Sequence, residues 1–187
     1  LKTAGQTGDS FHFAVFGDPR PGDTGSHRHH REVAAAVADL EPAFYLVLGD
    51  MVDHGGNPGL WQEFFDIEKD LMGKSALFPV LGDNDVDSGK GIAQRFFPGL
   101  ARGYYRFEWA GIQFFALNAW GSRGEQPGAE LGPDSPQMAW FQKEMERPEV
   151  KQAPFRVVFV HDPVYISRGR SADILKQEWG PVFELGN

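Results

Sequence analysis

Phe44-Tyr45-Leu46-Val47-Leu48-Gly49-Asp50 is the stretch on which the fold turns. Five apolar, β-prone residues run without a polar break into Gly-Asp, as expected of a strand buried on both faces that ends in a turn. The same arrangement recurs on either side. Residues 11–16 run into Gly17-Asp18, and residues 76–81 run into Gly82-Asp83. Between these runs the periodicity becomes helical. Residues 30–40 place Val33, Val37 and Leu40 on one face, with Thr24 or Ser26 upstream as N-cap. Asn57-Pro58 supplies an N-cap and first helical residue ahead of Leu60, Phe64, Ile67 and Leu71. This β-α-β-α-β order predicts a parallel sheet with right-handed crossovers.

Further along, residues 104–109 and 112–117, joined by Ala110-Gly111, read as a β-hairpin. The Gly- and Pro-rich residues 121–133 read as a loop. Asp134-Ser135-Pro136-Gln137 opens a helix with Met138, Phe141 and Met145 inward. Residues 155–160 form another buried strand, ending at His161-Asp162-Pro163, and residues 174–185 read as mostly helical with a break near Gly180-Pro181.

The 187 residues suit a single domain, 1–187, with a substantial core, and 41% hydrophobic content with 16 Phe argues for a folded globule. A formal net charge of −8 argues against a nucleic-acid or anionic-membrane surface. It does not forbid an anionic small substrate, because bound cations reverse the local field. With no cysteine, disulfides, zinc-thiolate sites and thiol catalysis are all excluded. No apolar run approaches the roughly 20 residues of a membrane span. The polar opening from Leu1 fits a removed signal peptide, which inclines the expected location to periplasmic or secreted, or an engineered start.

In open α/β sheets ligands bind beyond the carboxyl ends of the strands. Here four strands are expected to deliver Asp18, Asp50, Asp83 and His161 to that edge. Neighbouring strands lie about 4.8 Å apart, so these side chains can converge. Gathered carboxylates repel one another, and divalent metal relieves that repulsion; a shared Asp can bridge two ions about 3.5–4 Å apart. Oxygen ligands with one imidazole suit Mn, Fe, Zn or Mg without a sharp choice. A single Gly-Asp after a strand is ordinary turn chemistry; three in register with His161 point to a metal site.

Gly17-Asp18-Pro19-Arg20, Gly49-Asp50-Met51-Val52-Asp53, Pro79 to Asp85 and Val160-His161-Asp162-Pro163 resemble the ordered motifs of calcineurin-like metallophosphoesterases. In that family these run Asp-x-His, Gly-Asp-x-x-Asp, Gly-Asn-His-Asp/Glu, a lone His, then Gly-His-x-His. Gln137 to Phe141 is similar to the helix placed before the lone His. The resemblance implies an α/β sandwich of two mixed sheets flanked by helices. It implies a hydrolase acting on small phosphate mono- or diesters with divalent metal, two ions in the family. Asp18 would bind the first ion, Asp50 bridge both, and Asp83 and His161 bind the second. In-line attack by a metal-bound hydroxide is the implied reaction.

The chain departs from the pattern in three places. Arg20 stands for the His of Asp-x-His, and a guanidinium cannot ligate metal. It either clamps a substrate phosphate or pairs with nearby carboxylates, Asp18 among them. Asn84 stands for the catalytic His; it cannot titrate as an acid at neutral pH, but it can hydrogen-bond a phosphate oxygen or leaving group. No Gly-His-x-His follows, as expected of a domain incomplete at its C-terminus or diverged. Asp83 in place of Asn keeps a good ligand for hard cations.

Other motifs carry less. Asp83-x-Asp85-x-Asp87 resembles the start of an EF-hand loop, but Ser88 and Gln94 stand where Gly and Glu are required. Gly89-Lys90 lacks the flanking residues of a phosphate-binding loop. His27, His29 and His30 crowd a helix start and read as a solvated turn more readily than as phosphate contacts. Asp53 and His54 follow Asp50, at positions that the resemblance implies are supporting or substrate-facing, with His54 a candidate proton donor. Asn118 and Trp120 are candidates to line the pocket. Two functions therefore stand: a metal-dependent phosphoesterase, or a metal- or phosphate-binding protein of the same fold that has lost turnover.

Overall fold

A computed structural model describes residues 5–21, 27–86, 92–119, 132, 134–163, 176–177, 179–180 and 183. Strands Ala14–Phe16 (β1), Phe44–Leu48 (β2) and Ala76–Val80 (β3) lie in the order β1-β2-β3, each pair parallel. The crossovers carry helices Arg28–Asp39 (α1) and Pro58–Lys74 (α2). This is the β-α-β-α-β unit expected from the alternation of apolar runs and helical periods.

A second sheet is mixed. Tyr105–Trp109 (β4) and Ile112–Ala116 (β5) are antiparallel, and Arg156–Phe159 (β6) runs parallel to β5. Ala110 and Gly111 at the hairpin tip both have positive φ, 50° and 84°. A two-residue turn with two such residues matches the twist of the flanking strands. Between β3 and β4 lie Ile92–Phe96 (α3) and a single 3₁₀ turn, Pro98–Leu100; Pro136–Met145 (α4) and Pro148–Lys151 (α5) precede β6. None of α3, the 3₁₀ turn or α5 is long enough to leave a periodic signal in the sequence.

The strict alternation of β2 divides the core. Phe44 and Leu46 face the second sheet, where Trp109, Phe114, Ala116 and Phe159 close the space between the two layers. Tyr45 and Val47 point the other way, onto Trp61, Phe64 and Leu71 of α2 and Ala38 of α1. The outer face of the second sheet is covered by Met138 and Phe141 of α4, with Trp179. The result is an α/β sandwich of two sheets flanked by helices. Fully burying one such side chain stabilises by about 1.5–3 kcal/mol, so the uninterrupted apolar run of β2 is held from both sides.

The two crossover helices differ in how well their faces were legible. α2 begins as expected, with Asn57 Oδ1 accepting from the Gly59 N–H at 2.9 Å and Pro58 at the first position. α1 meets its expected face only in part: Val37 packs against the core, but the helix is rotated away from Val33 and Leu40. Its buried row is His30, Ala34 and Ala38, while Val33 is 40% and Leu40 64% exposed. The physical reason lies on α2: Glu68 is fully buried, and His30 Nε2 meets its carboxylate at 2.7 Å, so the polar pair turns α1 and two alanines allow close approach. Its N-cap is His27, with no side-chain capping bond; Thr24 and Ser26 lie outside the described residues. α4 is capped by Ser135, whose Oγ accepts from the Met138 N–H. Most of residues 121–133 lies outside the described residues, as does much of 174–185; Lys176, Gln177, Trp179, Gly180 and Phe183 are helical. Among the described residues no helix is long and apolar enough to cross a membrane.

Candidate metal centre

Strands β1, β2 and β3 each run through Gly and deliver Asp18, Asp50 and Asp83 beyond their carboxyl ends. Asp18 and Asp50 take up the left-handed backbone region, with φ of 51° and 52°. Few residues other than glycine do so, and short side chains such as Asp tolerate it best. The turns are stitched together: the Asp18 N–H donates to the Gly49 carbonyl at 3.0 Å and the Arg20 N–H to the Asp50 carbonyl at 3.3 Å. Glycine is required at 49 and 82 for space. A Cβ on Gly49, whose φ is +83°, would lie 2.8 Å from His161 Nδ1 and 2.6 Å from the Gly82 nitrogen. One on Gly82 would collide with Asp50 Oδ1.

His161 comes from the other sheet, two residues after β6, and reaches across to β2. Its Nδ1 lies 2.7 Å from the Leu48 carbonyl. A carbonyl can only accept, so Nδ1 carries a proton and Nε2 is the nitrogen turned outward. Nε2 lies 3.3 Å from Asp83 Oδ1 and 3.6 Å from Asp50 Oδ1. Ligand atoms of Asp18, Asp50 and His161 all lie within 4.8 Å of one another. An imidazole lone pair facing carboxylates is repulsive unless a cation or proton sits between them, and a backbone carbonyl on the far nitrogen is the usual support of a metal-binding His. The donor set of carboxylates plus one imidazole fits a divalent ion.

Charge in the cluster follows the same logic. Desolvation chiefly raises the Asp18 pKa, with Asp50 and Asp83 adding to it, against the opposing pull of His161 and Arg20. Burial opposes the imidazolium of His161, but the Leu48 carbonyl and the carboxylates of Asp50, Asp18 and Asp162 outweigh it and lift its pKa above the ordinary value.

Around Asp50 the sequence departures take definite places. Arg20 Nε donates to Asp50 Oδ2 at 3.0 Å and its Nη1 to Asp53 Oδ1 at 3.1 Å. Asn84 donates twice, from its backbone N–H to Oδ1 at 3.1 Å and from Nδ2 to Oδ2 at 2.7 Å. Arg20 thus pairs with the second and third acidic positions, Asp50 and Asp53.

Asp85 has a part that its place in an EF-hand-like string obscured. Buried and 2% exposed, it accepts from Met51 and Val52 N–H through Oδ1 and from Gly82 N–H through Oδ2, at 2.8, 3.1 and 2.9 Å. It thereby clamps the turn after β2 to the turn after β3. Burial pushes its pKa up to about 7 against the three N–H bonds, which favour the carboxylate. The acidic string by itself does not distinguish it from half-buried Asp83; its place at the acidic end of the Gly-Asn-His-Asp/Glu motif is the signal that could have found it.

The other candidates lie further out. His54 is exposed and stands outside the converging trio of Asp18, Asp50 and His161. His29 is exposed, whereas His27 pairs with Glu63 at 3.1 Å and His30 belongs to the core. Asn118 is buried; its backbone N–H and carbonyl are both bonded by the Gln137 amide, and its side chain lies against Gly103. Trp120 lies outside the described residues.

A family model, calcineurin-like phosphoesterase, matches residues 11–183. No curated protein sequence matches. Among solved structures, a dimetal phosphatase from Danio rerio aligns with a TM-score of 0.40 and 14% identity, covering 71% of this chain and 50% of that one. The chain thus spans half the length of that neighbour. The family match covers both sheets, the helices between their strands and every strand-end acid, and by it the chain belongs to the calcineurin-like phosphoesterases.

Proposed function

We propose that the chain is a metal-dependent phosphoesterase that hydrolyses small phosphate mono- or diesters. The observation that carries the reading is His161: its Nδ1 is held by the Leu48 carbonyl, and its Nε2 faces Asp50 and Asp83. With Asp18, these four residues would hold divalent metal, drawn from Mn, Fe, Zn and Mg. A divalent ion in such a site polarises a phosphoryl oxygen and makes a coordinated water more acidic. The chain supplies the rest. Asn84 orients the Asp50 carboxylate, and Asp85 fixes the two turns on which the ligands stand. Beyond Asp53 a cleft of about 410 Å³, lined also by His27, Arg31 and Glu63, offers room for the esterified group. His54 is the proposed proton donor to the leaving group.

The second reading, a metal- or phosphate-binding protein without turnover, draws on Arg20 and Asn84, both of which are engaged by Asp50. One experiment separates the two. The purified protein is depleted of metal, reloaded with Mn²⁺ or Zn²⁺, and assayed on an aryl phosphate and an aryl phosphodiester. Metal-restored hydrolysis that disappears in Asp50→Ala supports the phosphoesterase. Binding of metal without hydrolysis of either ester would move the assignment to the second reading, and failure to bind metal would remove the first and leave only the phosphate-binding form of the second. His54→Ala is expected to weaken turnover with metal binding retained.

A further inference from the structure

The acceptor count at Asp50 limits what that residue can hold. Each carboxylate oxygen offers about two lone-pair sites. On Oδ2 both are used, by Arg20 Nε at 3.0 Å and Asn84 Nδ2 at 2.7 Å. On Oδ1 one is used, by the Asn84 backbone N–H at 3.1 Å, and this is the oxygen that faces His161 Nε2. One position therefore remains, and it lies on the side of Asp83 and His161. Asp50 can accept a second ion only by surrendering Arg20 or Asn84. Arg20 is held against such a loss at both ends of its fork, by Asp50 and by Asp53, and its backbone N–H is bonded to the Asp50 carbonyl.

From this satisfied oxygen we infer that the centre takes one metal ion, and that the Arg20 guanidinium stands permanently where a second cation would neutralise Asp50. The inference rests on the metal-dependent reading above and concerns only this chain's residues at that site. A guanidinium stays protonated and offers five N–H donors, of which Asp50 and Asp53 take two. The remaining donors suit bidentate contact with phosphate oxygens, which a metal in that place would otherwise polarise. Arg20 thus both replaces a cation and retains the phosphate-clamp role for which its geometry fits.

Metal stoichiometry tests this without recourse to activity. The purified protein, stripped with chelator, is titrated with Mn²⁺ by calorimetry, its bound metal is measured by elemental analysis, and its electron paramagnetic resonance spectrum is recorded. One equivalent, with the six-line spectrum of isolated Mn²⁺, is the expected result. Two equivalents, or an exchange-coupled pair, overturn the inference while leaving the metal-dependent reading intact. No binding overturns both. Arg20→His frees one of the two positions on Oδ2 and supplies an imidazole, so it is expected to raise the count to two. A folded Arg20→His protein that still binds one equivalent overturns the role given to Arg20. Should that variant fail to fold, Arg20→Lys keeps a cation and is expected to hold the count at one; two equivalents there would likewise overturn it.

Discussion

His161 Nδ1 donates to the carbonyl of Leu48 at 2.7 Å, tying a residue that follows the last strand of one sheet to the end of the central strand of the other. This bond fixes both the tautomer and the direction of the imidazole. Gly49, directly after Leu48, leaves the space in which the ring sits.

Gly49→Ala should therefore disturb the metal site through the imidazole. The added Cβ would lie 2.8 Å from Nδ1, in a backbone conformation, φ +83°, that Ala disfavours. Misorienting a ligand in this way is expected to weaken Mn²⁺ binding about 10–100-fold. Calorimetric titration would show it, and unchanged affinity would argue that the His161 orientation is not set by this contact.

Acidity gives a second expectation, with a definite sign. Asp18, Asp85 and His161 all have folded pKa values raised above their ordinary ones. Each holds its proton more tightly folded than unfolded, so protonation stabilises the metal-free fold. That contribution is lost as pH rises through the folded values, about 7 for Asp85. Metal works in the opposite sense, since Asp18 and His161 must release protons to bind it. The rise in Tm on adding Mn²⁺ should be greater near pH 8 than near pH 6, roughly either side of neutrality. Thermal unfolding with and without metal at both pH values measures it.

Asp85→Ala removes the acceptor of three backbone N–H groups in the interior. Leaving buried donors unpaired costs about 1–3 kcal/mol each where water cannot replace the acceptor, so a loss above about 2 kcal/mol is expected in urea unfolding. Metal affinity should fall with it, because the turns bearing Asp50 and Asp83 separate. A variant as stable as the wild type would show that the clamp carries little.

The His30–Glu68 pair allows a cleaner separation of effects. Both side chains are essentially buried, 1% and 0% exposed, and meet at 2.7 Å. His30→Leu strands the Glu68 carboxylate and should cost about 3–5 kcal/mol, the range for breaking one side of a buried pair. Adding Glu68→Leu removes the stranded group and should recover much of that loss. Denaturant unfolding of the two single variants and the double variant completes the cycle; additive losses would show that the pair is not coupled.

Local signals placed most elements because they act within a few residues. The run from Phe44 to Leu48 is apolar throughout, and only a strand covered on both faces suits it. Asn57-Pro58, Ser135-Pro136 and Ala110-Gly111 each set a boundary by their own backbone and side-chain chemistry, and all three appear where expected. The face of α1 did not, because its rotation answers to Glu68, thirty-eight residues away from His30. Val33 and Leu40 were the better apolar candidates by local pattern alone, yet the polar pair took the core.

For the site, the sequence by itself determined which residues arrive at the strand ends: Asp18, Asp50 and Asp83, with His161, follow from strand length and the Gly turns after them. Tertiary structure alone decided what each side chain faces. That His161 turns its Nε2 toward Asp50, that Arg20 and Asn84 fill Asp50 Oδ2, and that Asp85 clamps two turns depend on contacts between segments far apart in the chain. Strand ends are set by short-range periodicity, whereas hydrogen-bond allocation is set by which polar groups the packed sheets bring within about 3 Å of one another.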